Sequence, residues 1–474
     1  MDFVADLHFH SKYSRAVSQQ MVLPEIAKWG AKKGINLLTT GDWTHPLWLR
    51  SIKKDLEEAG EGIYKLKVQS EKLKVEGVRF VLTTEIASIF KQGEKLRRIH
   101  NLVFAPNIQT VEKINKELLG RACNLSSDGR PIIGLSSKNL LEMLLNIDKK
   151  IILIPCHAWT PHFGIYGSAS GFDSIRESFE DLSNYIYGVE TGISSDPWMN
   201  WQVPELDNRA ILSFSDAHSL PKMGREATVF EIDKTLGDLS YADIGRAIVK
   251  PMKDYRLQTA DYRGKGTAVD GSRNAVGSRV AYTIEFYPEE GRYHYAGHRN
   301  CKVVRSPQEI KERGNVCSVC SKRLTEGVMY RVQQLAQSSK FKVQNSKLDE
   351  NGVLWIEDPS GVHPPFVKLV PLNEVIAESM KSTISSEKVK LKFDEMCSIL
   401  GPELNILLKI SITEIERKFG EKIAEGVAKV RRGDIFIDPG YDGEYGKVKI
   451  WSEEKTSLEN QKQIAQEDQL GLKF

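Results

Sequence analysis

The sequence predicts an α/β protein built around a barrel-like, mainly parallel sheet. Three observations predict it. Seven short apolar runs lie within the first 220 residues, helix-period segments lie between them, and every run carries a His, Asp or Glu at or next to one end. Short apolar runs bounded by turn residues read as buried strands, and their alternation with helical patterns gives a parallel sheet. Polar groups at the carboxyl ends of such strands meet at one mouth.

The first run, Phe3 to His10, ends in His8 and His10. They are two residues apart, so both imidazoles project from one face of a strand. Leu23 to Gly34 has a helix-period pattern, and Ile35 to Asp42 is the second strand, closing on Gly41-Asp42. A second helical pattern covers Ile52 to Glu76, and Phe80 to Glu85 ends on its carboxylate. His100 opens its run to Ala105 instead of closing it, so that strand is expected to run the other way. Ile151 to His157, Tyr187 to Glu190 and Ala210 to His218 complete the set, and Asp216 and His218 repeat the two-residue spacing.

The resulting metal-ligand set is His8, His10, Asp42, Glu85, His100, His157, Asp216 and His218. That is too many for one four-coordinate ion, so two or three ions sharing a bridging carboxylate are expected, with Glu85 as the bridge. Mixed imidazole and carboxylate ligands suit zinc, manganese or iron and also admit magnesium. Such a rim activates water and steadies charge on a phosphoryl group. Asp216, His218 and Glu85 are the expected catalytic residues.

Downstream, Gly264 to Arg279 is Gly-rich and basic and reads as a mobile loop, while Tyr282 to Tyr287 alternates like a strand. His298, Cys301, Cys317 and Cys320 follow as His-x2-Cys and Cys-x2-Cys, two close pairs that fit a closed structural zinc site. His294 is a rival for His298. Net charge is only +3, yet residues 250–342 hold 18 Lys and Arg against 9 Asp and Glu, as a phosphate-backbone partner requires. Arg299, Lys302 and Arg305 are the expected phosphate contacts there. Helix-period patterns at Val370 to Lys381 and Ser411 to Arg431 predict a small helical domain, and from Trp451 onward the chain is polar. The expected organisation is 1–245, 246–345, 346–450 and a tail at 451–474.

Aromatic residues crowd the expected rim: Trp43, Trp48, Trp159, Phe163, Tyr166, Trp198 and Trp201. They either stack on nucleic-acid bases or line the core. Trp43, Trp159, Tyr166 and Arg299 are the chosen DNA contacts, with 162–172 as a loop that closes on DNA. Six cysteines in 474 residues, three of them in one short segment, fit a reducing cytoplasm and a metal site. No run of eighteen apolar residues, no secretory pattern and no phosphate-loop motif occurs in the sequence, so a membrane span and a nucleotide-driven motor are not expected.

The motifs Asp6-Leu7-His8-Phe9-His10-Ser11, Gly41-Asp42, Glu85, His100, His157 and Ser215-Asp216-Ala217-His218 resemble the PHP (polymerase and histidinol phosphatase) family. That resemblance implies a distorted (β/α)7 barrel with a two- or three-metal phosphoesterase site. Many members have Asp-His where this chain has Gly41-Asp42, so Asp42 would replace a His ligand. Arg15-Ala16 stand where a further His often follows the first motif. The segment Gly291 to Cys301, Cys317-Ser318-Val319-Cys320, Val370-Pro371-Leu372 and Pro439 to Gly443 is similar to the endonuclease Q family. This implies a nuclease that cuts DNA on the 5′ side of uracil, hypoxanthine, xanthine or an abasic site. The competing readings are a small-molecule phosphatase of the histidinol phosphate type and a non-enzymatic DNA-binding module. Finally, Gln469-Leu470-Gly471-Leu472-Lys473-Phe474 resembles the peptide with which bacterial proteins dock on the sliding clamp. Leu470, Leu472 and Phe474 would lie on one side of an extended chain and Gln469 at the groove entrance. A cytoplasmic, nucleoid-associated monomer is expected.

Overall fold

The computed structural model describes residues 1–67, 75–249, 277–336 and 343–451. The strands up to residue 285 are β1 (Asp2–Asp6), β2 (Leu37–Thr39), β3 (Leu56–Gly60), β4 (Ile63–Leu66), β5 (Arg79–Gln92) and β6 (Lys95–Ala105). They continue with β7 (Ile132–Ile133), β8 (Ile152–Pro155), β9 (Gly188–Glu190), β10 (Ala210–Leu212), β11 (Ala227–Glu231) and β12 (Arg279–Glu285). The helix Leu23–Lys33 forms where predicted. Pro24 starts it, Glu25 and Lys32-Lys33 complement its dipole, and Gly34 ends it at φ 85°. It buries Leu23, Ile26, Ala27 and Gly30, the spacing of one helix face.

The expected helix over Ile52 to Glu76 does not form. The helix Pro46–Asp55 stops, and β3 and β4 make an antiparallel hairpin. Gly62 turns that hairpin at φ 71°, and a Cβ there would lie 2.2 Å from the Pro106 carbonyl oxygen. Residues 68–74 of that expectation lie outside the described residues, as does most of the expected loop 264–279.

The sheet is mixed, where a mainly parallel one is expected. β1 pairs parallel with β2 and β2 with β5, but β5–β6, β6–β8, β1–β11 and β11–β12 are all antiparallel. β6 thus runs against β5, as the position of His100 in its run predicts. No sheet closes into a barrel among the described residues. β9 and β10 pair with each other in a separate two-stranded sheet. Side chains and loops bridge the two breaks. The Ala158 N–H donates to the Glu190 carbonyl (2.8 Å) on one side. On the other, the Thr228 hydroxyl accepts from the Ser213 N–H (2.9 Å) and donates to the Ser213 carbonyl (3.0 Å). These contacts take backbone groups that a closed ladder would have used.

The same large sheet continues through β12 to the strands Phe366–Lys368, Leu354–Glu357 and Asn345–Leu348. It crosses residues 245 and 345. Five helices follow: Leu372–Ser379, Glu387–Leu400, Glu403–Leu408, Ile412–Phe419 and Glu421–Arg432. They dock on the first helix. Lys33 pairs with Glu403 at 2.7 Å, both buried, and Trp29 stacks on Phe393. Arg431, also buried, donates to the carbonyls of Leu407, Ile406 and Ile410, closing the end of Glu403–Leu408. A continuous apolar core runs from Phe9 and Trp43 through Tyr166 and Phe286 to Phe393 and Val427. No helix among the described residues is long and apolar enough to cross a membrane.

Candidate metal centre

His8 and His10 follow β1 directly and both are buried. Glu85 lies within the long strand β5, not at its end, and His100 lies within β6 opposite Ala87. The β5–β6 ribbon continues well past the mouth of the sheet, so these two residues face it from mid-strand. His157 follows β8, and Asp216 and His218 follow β10. Asp42, His157 and Asp216 have φ of 43°, 29° and 45°. Left-handed backbone at non-glycine residues costs about 1–3 kcal/mol each and gathers at functional sites. Gly192 permits one of these turns, since a Cβ there would lie 2.4 Å from the His157 Cβ.

Glu85 is the centre of the cluster. Its Oε2 lies 3.3 Å from His10 Nε2 and 3.8 Å from His8 Nε2. Its Oε1 lies 3.3 Å from His157 Nε2 and makes a close contact with His100 Nδ1. Asp216 Oδ1 is 3.2 Å from His10 Nε2 and 3.7 Å from His8 Nε2. Three overlapping groups arise in which ligand atoms lie within 4.8 Å of one another: His8-His10-Glu85, His10-Asp216-His218 and Glu85-His100-His157.

Asp42 is not among them, contrary to expectation. Its Oδ1 faces His10 Nδ1 at 3.0 Å, and its Oδ2 accepts from the Ser11 N–H (2.6 Å) and the Ser14 hydroxyl (2.9 Å). Asp42 follows the second strand, 32 residues after His10, and faces the Nδ1 side of the imidazole, so it orients His10. Glu190 does the same for His8, accepting from Nδ1 at 2.8 Å and from the His157 N–H at 2.8 Å. Sequence reasoning places Glu190 at a strand end yet leaves it out of the ligand set. It is also within ligand distance of His8 and Cys156. Asp6 ties the site together from below. It accepts from the Ser215 N–H and hydroxyl and from the Gly224 N–H, fixing the segment that carries Asp216. Burial raises its carboxyl to about 6.

The charges describe what the site needs. Burial works against charged imidazoles, yet Glu190 and Glu85 hold His8 well above its ordinary value, and Asp42 and Asp216 do so for His10. Burial likewise opposes ionisation of Glu85, but His100 and Arg130 pull it well below the carboxylate range. Burial takes His100 down to about 4. The buried carboxylates therefore demand positive charge. Protons or cations can supply it, and cations compete with the protons. The fit to cations is specific. With Nδ1 of His8 and His10 facing a carboxylate, the proton belongs on Nδ1 and Nε2 presents a lone pair. Both Nε2 atoms and Asp216 Oδ1 are buried without a hydrogen-bond partner. Lone pairs facing carboxylate oxygens are repulsive unless a cation lies between them.

His298, Cys301, Cys317 and Cys320 form a second group of convergent ligand atoms, and His294 is not part of it. Cys320 Sγ is 3.3 Å from His298 Nδ1. Backbone N–H groups of Cys320 and Val319 outweigh desolvation and hold the Cys317 thiol down to about 6. Arg299 is exposed beside this group, its N–H donating to Asp442. Arg305 is buried instead of free for phosphate, donating to the carbonyls of Arg313 and Gly314.

The aromatic expectation needs correction. Trp43, Trp159 and Tyr166 are fully buried and belong to the core. Trp159 donates to Asn200 (2.8 Å) and Tyr166 to Glu205 (2.7 Å), so neither has a face left for a base. Phe163 is the partly exposed ring at the mouth, 4.2 Å from His100. The segment 162–172 is tightly folded, since Gly164, Gly167 and Gly171 let backbone pack on backbone within 2.4–2.6 Å of where a Cβ would be. The peptide Gln469, Leu470, Leu472 and Phe474 lies outside the described residues.

A family model described as the MJ0043 C-terminal domain matches residues 371–434. The uncharacterized protein MJ0043 of Methanocaldococcus jannaschii is 28% identical over 311 residues, which is 64% of this chain and 33% of that protein. The chain thus spans about a third of that relative's length. The crystal structure of the lesion-specific endonuclease PfuEndoQ from Pyrococcus furiosus has 27% identity and a TM-score of 0.74 over 96% of each chain. A structure of endonuclease Q with a 27-mer duplex substrate carrying an abasic lesion at the active site has 28% identity and a TM-score of 0.73. That match covers 96% of this chain and 98% of the other. Motif, fold and near-complete coverage thus agree that the chain is similar to endonuclease Q over nearly its whole length.

Proposed function

We propose that this protein is a metal-dependent DNA repair endonuclease. It hydrolyses the phosphodiester on the 5′ side of deaminated bases (uracil, hypoxanthine, xanthine) or abasic sites. The observation that carries the reading is the buried ring of unpartnered ligand atoms around Glu85, within a chain that matches a DNA-bound lesion endonuclease over 96% of its length. In this reading 1–245 is a PHP-type metallo-phosphoesterase unit with an open sheet, 246–345 a zinc-binding module, 346–450 a helical domain and 451–474 a tail. His8, His10, Glu85, His100, His157, Asp216 and His218 would hold two or three divalent cations (zinc, magnesium or manganese), and Glu85, central to the cluster, would be shared between them. Cations bound there supply an activated water and neutralise charge on the phosphoryl group. His218, about a third exposed, is the ligand at the substrate side, and Asp42 and Glu190 hold the imidazoles in register. Extruding the target nucleotide costs a few kcal/mol, least where pairing is already weak, which favours lesions.

Structural zinc at His298, Cys301, Cys317 and Cys320 would fold the loop that presents Arg299 to a DNA phosphate. The terminal peptide would dock on the sliding clamp, with the polar stretch before it as a tether. The reading is tested with labelled duplexes bearing uracil, hypoxanthine, an abasic site or no lesion, with magnesium or manganese. Cleavage 5′ to the lesion is expected, abolished in Asp216→Asn. Turnover of small phosphomonoesters with intact duplexes would instead favour a phosphatase. Equal clamp binding by full-length protein and a chain ending at Asp468 would remove the docking peptide.

A further inference from the structure

One cationic side chain enters the centre that no part of the sequence pattern selects. Arg130 Nη1 lies 3.1 Å from Glu85 Oε2, the oxygen that also faces His8 and His10. Among the described residues it is the sole Lys or Arg paired with a carboxylate of the cluster. The side chain is a quarter exposed, so it reaches the carboxylates from the open side of the mouth.

The loop that carries it is fixed against the site. The Gly129 N–H donates to the Tyr13 carbonyl (3.1 Å), and the Thr44 hydroxyl donates to the Gly129 carbonyl (3.0 Å). The Arg130 N–H donates to Asp128 (3.1 Å), and the Ala87 N–H to the Pro131 carbonyl (3.0 Å). Gly129 lies so close that a Cβ would be 2.3 Å from Ser14 Oγ and 2.4 Å from Asp42 Oδ2. The glycine lets the backbone lie on the residues that orient His10, and the next side chain is thereby aimed at the cluster.

A guanidinium beside a site for divalent cations is electrostatically unfavourable unless an anion joins them. Glu85 is the anion it faces here, but a bridging Glu85 would have its oxygens engaged by cations. The planar donor fork then matches a phosphate oxygen pair. We propose that Arg130 is the phosphate-gripping residue of this centre, donating to non-bridging oxygens of the scissile phosphodiester across from the cations. The proposal rests on the hydrolase reading above and adds the residue that recognises the phosphate.

The test uses the full-length protein loaded with manganese, as wild type, Arg130→Gln and Arg130→Lys. Binding of inorganic phosphate is measured by calorimetry, metal content by elemental analysis, and cleavage on an abasic duplex. Loss of a charge-assisted pair predicts roughly 10–100-fold weaker phosphate binding in Arg130→Gln. It also predicts about a 10²–10³-fold fall in kcat. Metal content is unchanged and Arg130→Lys recovers part of both. Phosphate binding within threefold of wild type in Arg130→Gln, or a loss seen only where metal is lost too, overturns the proposal. Failure of the wild type to cut any lesion duplex would sink the nuclease reading instead, while the phosphate measurement still decides the role of Arg130.

Discussion

Asp42→Asn separates two roles for the carboxylate behind His10. A ligand role predicts an enzyme that no metal concentration restores. The orienting role predicts weakened metal binding that excess metal overcomes. Asp42 accepts from three donors: His10 Nδ1 at 3.0 Å, the Ser11 N–H at 2.6 Å and the Ser14 hydroxyl at 2.9 Å. An asparagine amide keeps one accepting oxygen and turns an NH2 toward a donor. If its oxygen stays on His10, the buried Ser11 N–H loses its acceptor, a cost of about 1–3 kcal/mol. If it stays on Ser11, His10 loses the partner that fixes its tautomer. Loss of such a partner weakens metal binding by about 10–100-fold, or about 1.4–2.7 kcal/mol. The assay is a manganese titration of abasic-duplex cleavage, with metal affinity measured independently by calorimetry. The half-activating concentration should rise about 10–100-fold, with saturated activity returning to within about tenfold of wild type. A variant that stays inactive at saturating manganese while folded would show that Asp42 is a ligand. A titration midpoint within threefold of wild type would show that it does not support His10 at all.

Three further outcomes follow from the packing. Trp159→Ala should destabilise the protein by about 3–5 kcal/mol in denaturant unfolding, because a fully buried ring is removed, and should leave DNA affinity of the folded fraction unchanged; the reverse pattern would restore Trp159 as a DNA contact. Glu403→Gln leaves Lys33 buried without its partner and weakens the acceptor for the Leu372 N–H, so a loss of about 3–5 kcal/mol is expected, shrinking in the Lys33→Met, Glu403→Leu double variant. Burial raises Glu285 to about 8 against hydroxyl donation from Ser213 and Thr283. Its folded value lies above its unfolded one, so its contribution is full below about pH 4.5 and is lost as pH rises through about 8, at up to about 1.4 kcal/mol per pH unit. Glu285→Gln should flatten that part of the stability profile measured by thermal unfolding, and an unchanged slope would count against a protonated Glu285.

The sequence by itself determined which residues could meet. A two-residue spacing puts His8 with His10 and Asp216 with His218 on one side of an extended chain, whatever surrounds them. A polar residue at the start of its apolar run told that the His100 strand runs backward, and β6 does pair antiparallel with β5. The two Cys-containing pairs were legible for the same reason, since their ligand spacing is local. The similarity of the terminal helices to a known domain is also local in kind, and the helix-period patterns at 370–381 and 411–431 form as helices.

Only the tertiary structure decided what each of these groups faces. His8 and Glu190 are 182 residues apart, and nothing within either segment says that one orients the other. Asp42 ends its strand in the same way as a ligand would, and only its three donors show that it lies behind the imidazole. The aromatic residues near the ligands carried no mark of burial in the sequence, because a ring that stacks on a base and a ring that fills a core are the same side chain. The openness of the sheet was equally hidden. β9 and β10 are three-residue strands, and whether their outer edges pair with backbone or with a threonine hydroxyl depends on neighbours far along the chain. Arg130 is the extreme case, a loop residue with no periodicity to betray it, placed at the centre by a glycine whose missing side chain lets the loop approach.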